Sequence, residues 1–362
     1  MTSAAAALEG GGRLWRFPLG RAFVHPLFDT LIIGGGLSIL VTALLSWGGR
    51  GFGPASVQLA LLPSLPLIVF FANSAHFAAS TVRLYTKPGA YRELRFLTLV
   101  FPLVTFVVLA LAIAFAPVAG RPLQALYLTW SPYHYAAQAY GLAAMYCYRS
   151  GFPLLDSDKG LLRLACLAPF AHAFLASPTV GIDWFVPPGV LGAPLFVAAR
   201  GALTYALGVL TFALPIVWFG RAVVRERRAP PLISLLTVVS NGLWWITLNY
   251  YHAFYLATVF HGLQYLAVVA IFYIKDQESR EAIPRGWLSQ LVGFYAACVV
   301  VAYALFQTLP FAFVAVGFGL AESLLLVTAV INVHHFVVDA YIWRLRRDPN
   351  YSIVTGAAPA TV

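Results

Sequence analysis

Apolar runs long enough to cross a bilayer recur along almost the whole chain, and they decide its fold class before any motif is read. A spanning helix needs about 20 apolar residues, whereas a barrel strand needs about 10 with alternating polarity. The runs here are too long for strands, and alternation is absent. Of the 362 residues, 60% are hydrophobic and 10% charged, against about 25% charged in a soluble domain. Backbone groups inside hydrocarbon must be satisfied within each segment, which selects helices. The expected fold is an all-α polytopic membrane bundle, with no room for a sizeable soluble domain.

Breakers and charges divide the runs into ten expected spans: 27–47, 57–84, 94–116, 124–149, 161–177, 195–222, 232–249, 252–274, 288–309 and 313–343. Gly48-Gly49-Arg50-Gly51 closes the first, Lys87-Pro88-Gly89 the second, Pro117 the third and Pro153 the fourth. The boundary at 249–252 has no Pro or Gly and is drawn because 232–274 is too long for one crossing. A single transmembrane domain, 25–346, then lies between a cytoplasmic N-terminal segment, 1–24, and a cytoplasmic tail, 347–362. Arg13, Arg16 and Arg21 resemble the n-region of a signal peptide. The following run is long for an h-region and no small-x-small cleavage site follows, so it reads as a retained helix.

Basic residues support this division. Every Lys and Arg except Arg50, Arg121 and Arg200 falls on one side of the ten-span topology, which puts both termini in the cytoplasm. The net charge of +10 is thus explained by topology, and membrane lipids rather than nucleic acid are the expected partners. Cys147, Cys166 and Cys298 lie in or near apolar segments, form no CxxC pair, and read as small buried hydrophobes.

Histidines inside the spans carry the chemistry. They occur as Asn73-Ser-Ala-His76, His134-Tyr-Ala-Ala-Gln138, His261-Gly-Leu-Gln264 and Asn332-Val-His334-His335 followed by Asp339. Ionisable side chains are costly in a bilayer and mark functional sites. Residues three or four apart share a helix face, so Gln138, Gln264 and Asp339 are expected to orient His134, His261 and His335. Asp339 either ligates a metal directly or accepts from the other ring N–H of His335. His76, His134, His261, His334 and His335 are the candidate metal ligands. Adjacent histidines project about 100° apart, so one of His334 and His335 ligates while the other hydrogen-bonds. Imidazole with carboxylate suits iron, copper, zinc or nickel. The bland alternative is polar glue between helices.

His25 reads as interfacial. His172 reads as a helix–helix hydrogen bond or a substrate contact. Glu322 is placed in the outer half of the last span as a proton-pathway residue or arginine partner, and Arg83 and Arg149 as snorkelling end residues. Crowded aromatics, including Tyr133, Tyr135 and Tyr140, read as an interfacial belt or as the lining for a long apolar substrate.

His76, His134, His261 and His335, one on each of four spans in a chain of this size and hydropathy, resemble the Brp/Blh group of membrane β-carotene dioxygenases. Those bacterial and archaeal proteins look like single-iron enzymes held by four intramembrane histidines. The resemblance is one of class, without a continuous motif. That group has two histidines one turn apart, and this chain has no HxxxH. It implies iron, an oxygenase or other oxidoreductase acting on a lipophilic small molecule, and a bacterial inner membrane. Two other readings remain open at this point. One is a haem b electron-transfer subunit with His134 and His261 as axial ligands. The other is a proton-coupled transporter with a His/Glu/Asp relay.

Overall fold

The computed structural model describes residues 18–47, 64–177, 181–251, 254–278 and 286–343. Among them there is no strand. The main helices are α1 (Pro26–Ile33), α2 (Gly36–Trp47), α3 (Pro66–Thr86), α4 (Phe96–Ala114), α5 (Ala116–Arg149), α6 (Asp156–Ala176), α7 (Pro194–Glu226), α8 (Leu232–Tyr251), α9 (Phe254–Glu278), α10 (Trp287–Ala315) and α11 (Leu320–Ile342). Seven of these, α3, α4, α6, α7, α9, α10 and α11, are long and apolar enough to cross a membrane. The bent pair α1–α2 makes an eighth if it is one span. α5 has 34 residues, yet Tyr, Gln, Pro and His dilute its hydropathy.

Three expected spans are redrawn. The continuous helix expected over 27–47 is broken at Gly34-Gly35, where α1 and α2 meet at 60°. Gly35 has φ +77°, and a Cβ there would lie 2.3 Å from Ser240 Oγ. This is a left-handed position where only glycine is unstrained. Helix α5 starts at Ala116 rather than 124, because Pro117 falls in its first turn, where a missing N–H costs nothing. The expected last span, 313–343, is interrupted after Ala315: Gly317 has φ +102° and α11 begins only at Leu320.

Glu322 is therefore not an isolated acid within a span. It is exposed in the first turn of α11, where the helix dipole favours a carboxylate. Arg83 also differs from expectation. It is buried and pairs with Asp276 of α9 at 2.5 Å, because its position faces α9 rather than the helix rim. Arg149 is half-buried and donates to the Ala22 carbonyl from Nε and Nη2. Residues 1–17 and the tail 347–362 lie outside the described residues, as does His252.

Packing places α3 at the centre of one half of the bundle. Ala75, Ala78 and Ala79 of α3 are fully buried and let α9, α10 and α11 approach closely. Gly262 of α9 sits so near α3 that a Cβ would lie 2.7 Å from the Ala72 carbonyl oxygen. Helix α5 packs on α11 on one side and on α6 and α8 on the other. The N-terminal segment is tied in by Asp29, which is fully buried. Its carboxylate accepts from Phe23 N at 2.6 Å and from the Tyr146 hydroxyl at 2.6 Å.

Candidate metal centre

Helices α3, α5, α9 and α11 each bring one imidazole to a common point. The ring centroids of His76 and His261 are 4.9 Å apart, His261 and His134 5.1 Å, His134 and His335 5.0 Å, and His335 and His76 4.7 Å. Neighbouring rings are nearly perpendicular, with interplanar angles of 78–86°. The four form a closed ring of edge-on imidazoles. His76, His261 and His335 are at most 1% exposed.

Hydrogen bonds set two of the tautomers. His76 Nδ1 lies 2.8 Å from the Asn73 carbonyl oxygen, which can only accept, so Nδ1 carries the proton and Nε2 a lone pair. A wide π-type turn over Phe70–Ser74, immediately before His76, shifts the backbone register there. His335 Nδ1 lies 2.9 Å from Ser80 Oγ. The Ser80 hydroxyl proton is directed to the Phe77 carbonyl at 2.9 Å, so Ser80 Oγ accepts from His335 Nδ1–H. The Nε2 of His335 then presents its lone pair to the interior. It lies 3.3 Å from His134 Nε2. Two nitrogens bound tetrahedrally to one metal at 2.0–2.1 Å stand about 3.3–3.4 Å apart.

The remaining polar atoms are conspicuously under-partnered. Neither ring nitrogen of His261 has a hydrogen-bond partner among the described residues, and the same holds for His76 Nε2 and Asp339 Oδ2. Buried polar groups are almost always paired, and each one left unpaired costs about 1–3 kcal/mol. Asp339 faces the same point: its Oδ2 lies 3.6 Å from His134 Nε2 and 3.5 Å from His335 Nε2. Its Oδ1 accepts from the Tyr265 hydroxyl at 2.5 Å. Suitable ligand atoms of His76, His134 and His261 all lie within 4.8 Å of one another, as do those of His134, His335 and Asp339. His134 is shared between the two sets, so the donors converge on one region.

Aromatic side chains wall the site. Tyr135 stacks on His261 at 4.0 Å and Trp245 stacks on Tyr135 at 5.9 Å. Phe77 sits against His76 and His335, and Phe336 against His134.

Several expected roles change. His334 turns away from the cluster and stacks on Phe101 of α4, centroids 4.8 Å apart and planes 11° from parallel. The 100° step between neighbours on a helix allows only His335 to face inward. Asp339 does not receive the outer N–H of His335, because Ser80 occupies that position. It faces the Nε2 side instead. Gln138 and Gln264 do not orient His134 and His261 through their rings. Gln138 Nε2 donates to Gln264 Oε1 and to the His261 carbonyl, both at 3.4 Å, and Gln264 Nε2 donates to the Ile33 carbonyl at 2.9 Å. The break between α1 and α2 exposes that carbonyl and draws Gln264 away. His172 joins two helices, its Nδ1 donating to the Thr204 carbonyl of α7 at 2.9 Å. His25 caps α1, its Nδ1 accepting from Leu27 N.

Ser80 and Tyr265 were not singled out in the sequence, and Tyr135 was read only as part of an aromatic belt or substrate lining. Ser80 is four residues after His76, and Tyr265 four after His261, so the one-turn rule that nominated the glutamines marks them too. No family model, curated protein or solved structure matches this chain.

Proposed function

We propose that His76, His134, His261 and His335 bind a single metal ion, iron in the first place, and that the protein is a membrane oxidoreductase acting on a lipophilic substrate. The observation that carries this reading is His261: a fully buried imidazole with both nitrogens unpartnered, inside a ring of three others. Simple helix-joining histidines use their nitrogens to join helices, as His172 does.

The chain's own groups fit the task. Asn73 and Ser80 hold the outer nitrogens of His76 and His335, which fixes ring orientation and keeps the inner lone pairs available. Asp339 stands beside His134 and His335, as a ligand or as the neighbour of one, and the hydroxyl of Tyr265 fixes its rotation. Tyr135, Trp245, Phe77 and Phe336 exclude water. A bound iron would supply one-electron chemistry and a place for dioxygen or substrate; copper and zinc suit the same donors. The resemblance to the membrane β-carotene dioxygenases supports the four-histidine stoichiometry.

A haem fits less well. The rings of His76 and His335 stand beside the His134–His261 pair, where a macrocycle would have to lie. The transporter reading loses Glu322 as an intramembrane relay. Ten crossings with both termini in the cytoplasm of a bacterial inner membrane complete the proposal, on the strength of the basic-residue bias.

The test is elemental analysis of detergent-purified protein. About one metal per chain in wild type, lost in His76→Ala, His261→Ala and His335→Ala, is the expected result. Metal-free wild type grown with ample supply and purified without chelators would overturn the proposal.

A further inference from the structure

The imidazole ring has two faces, and they differ. The four helices that carry it run in the same direction. Gly262 of α9 lies against Ala72 of α3, and Tyr265, one turn on, lies against His76. Tyr135 of α5 meets Thr258 of α9, and Gln138 meets Gln264. His76 of α3 meets His335 of α11, and Leu84 packs with Val338 and Ile342. A step of one turn therefore leads to the same side of the ring on every helix, and residues at that step share the histidine's face.

Four residues after the histidines stand Ser80, Gln138, Tyr265 and Asp339. These side chains are bonded to one another or to their neighbours: Ser80 to His335, Gln138 to Gln264, Tyr265 to Asp339. A cavity lined by His134, Gln138, Tyr265 and Asp339 opens on this side. Three residues before the histidines stand Asn73, Ser131, Thr258 and Asn332. All four are buried, and Ser131 and Asn332 are at most 1% exposed. Thr258 meets the Tyr135 hydroxyl at 3.1 Å. Asn73 Oδ1, Ser131 Oγ and Asn332 Oδ1 have no hydrogen-bond partner among the described residues. None of these three residues lines the cavity. The amide nitrogen of Asn332 is committed to the Thr328 carbonyl at 2.7 Å, so its unpaired atom is the oxygen.

Two carboxamide oxygens can only accept, and a serine hydroxyl can donate. An occupant of this layer must offer two donors and at least one acceptor. It must also be small. Neighbouring imidazoles are 4.7–5.1 Å apart, and one water reaching about 2.8 Å to either side spans about 5.6 Å. Buried water is held by about two to four such partners. We propose that Asn73, Ser131 and Asn332 bind one water molecule on the face of the imidazole ring opposite the cavity. It donates to both carboxamide oxygens and accepts from Ser131, which leaves one lone pair for the ring. Two acceptors side by side repel an anion. A sodium ion would suit three oxygens, but it would stand about 4.5 Å along the helix axis from the proposed metal and be repelled by it. The choice of water over sodium thus rests on the metal reading. The centre receives solvent from one face and the occupant of the cavity from the other.

The test loads purified protein with copper(II), which suits the same donors, and compares its electron paramagnetic resonance in oxygen-17-enriched and ordinary water. Wild type is expected to show a hyperfine coupling to oxygen-17. The double variant Asn73→Leu/Asn332→Leu keeps the branched side-chain skeleton without the oxygens. It is expected to lose that coupling while keeping its copper. Asn332→Leu alone makes the same comparison where the double variant does not fold. Wild type without the coupling, or a coupling undiminished in the variants, overturns the inference. So does a rise in unfolding temperature that needs sodium rather than choline chloride and disappears in Asn332→Leu, because it assigns the layer to a cation. Wild type that binds no metal sinks the metal reading alone. X-ray hydroxyl-radical labelling of that protein in oxygen-18 water then decides the water site. Oxygen-18 on His76 or His335, which are buried from bulk water, upholds it, and unlabelled imidazoles overturn it.

Discussion

Replacing His261 by leucine should change sign in its effect on stability according to whether metal is present. The imidazole is fully buried and neither nitrogen is paired. A neutral ring has one donor and one acceptor, and leaving each unmade costs about 1–3 kcal/mol. Leucine is similar in volume and removes both penalties. It loses the stack on Tyr135, worth about 0.5–1.5 kcal/mol. With metal stripped, His261→Leu should be more stable than wild type by about 0.5–5.5 kcal/mol, the two penalties less the lost stack. With metal at about a thousand times its dissociation constant, wild type gains about 4 kcal/mol and the variant gains little, so the order closes or reverses. Thermal unfolding in detergent, followed by tryptophan fluorescence with and without chelator, reads this as shifts of about 2 °C per kcal/mol. If the variant is less stable than wild type by the same margin in both conditions, the imidazole is a packing or hydrogen-bonding residue and the reasoning fails.

Ser80→Ala removes the acceptor of His335 Nδ1–H and should weaken metal binding about 10–100-fold, measured by competition with a chelator of known affinity; unchanged affinity would contradict the assigned tautomer. His334→Phe should leave metal stoichiometry intact, because His334 stacks on Phe101 outside the ring; loss of metal on elemental analysis would show that it ligates. Gly35→Ala puts a Cβ 2.3 Å from Ser240 Oγ at φ +77° and should destabilise by about 2–4 kcal/mol, visible as a lower unfolding temperature. A neutral outcome would mean that α1 and α2 join differently.

Four of the five nominated histidines converge in the structure, and they were legible because intramembrane imidazoles are rare, whereas His334 stacks on Phe101 instead. Composition and run length likewise revealed a helical bundle with helices long and apolar enough to cross a membrane, whereas the boundary expected at 249–252 falls partly outside the described residues. What was not legible depended on contacts between distant segments. Gln264 looked like a partner for His261, but the Ile33 carbonyl, exposed by the bend at Gly34-Gly35, draws it away. His76 is held by the backbone carbonyl of Asn73, which no side-chain pattern displays. Arg83 looked like a rim residue because local spacing cannot show that Asp276 faces it. The break at Val316–Gly319 was hidden inside a continuous apolar run, and that moved Glu322 to a helix start.

Ser80 and His335 meet across 255 positions of chain, which joins α3 to α11. During synthesis the first three histidines enter the bilayer long before the fourth exists. Until α11 arrives, the nascent bundle carries unmatched imidazoles and an unclosed seam beside α3. The proposed centre therefore cannot be assembled before α11 is in place. A chain halted before α11 would hold three of the four imidazoles without the one that closes their ring.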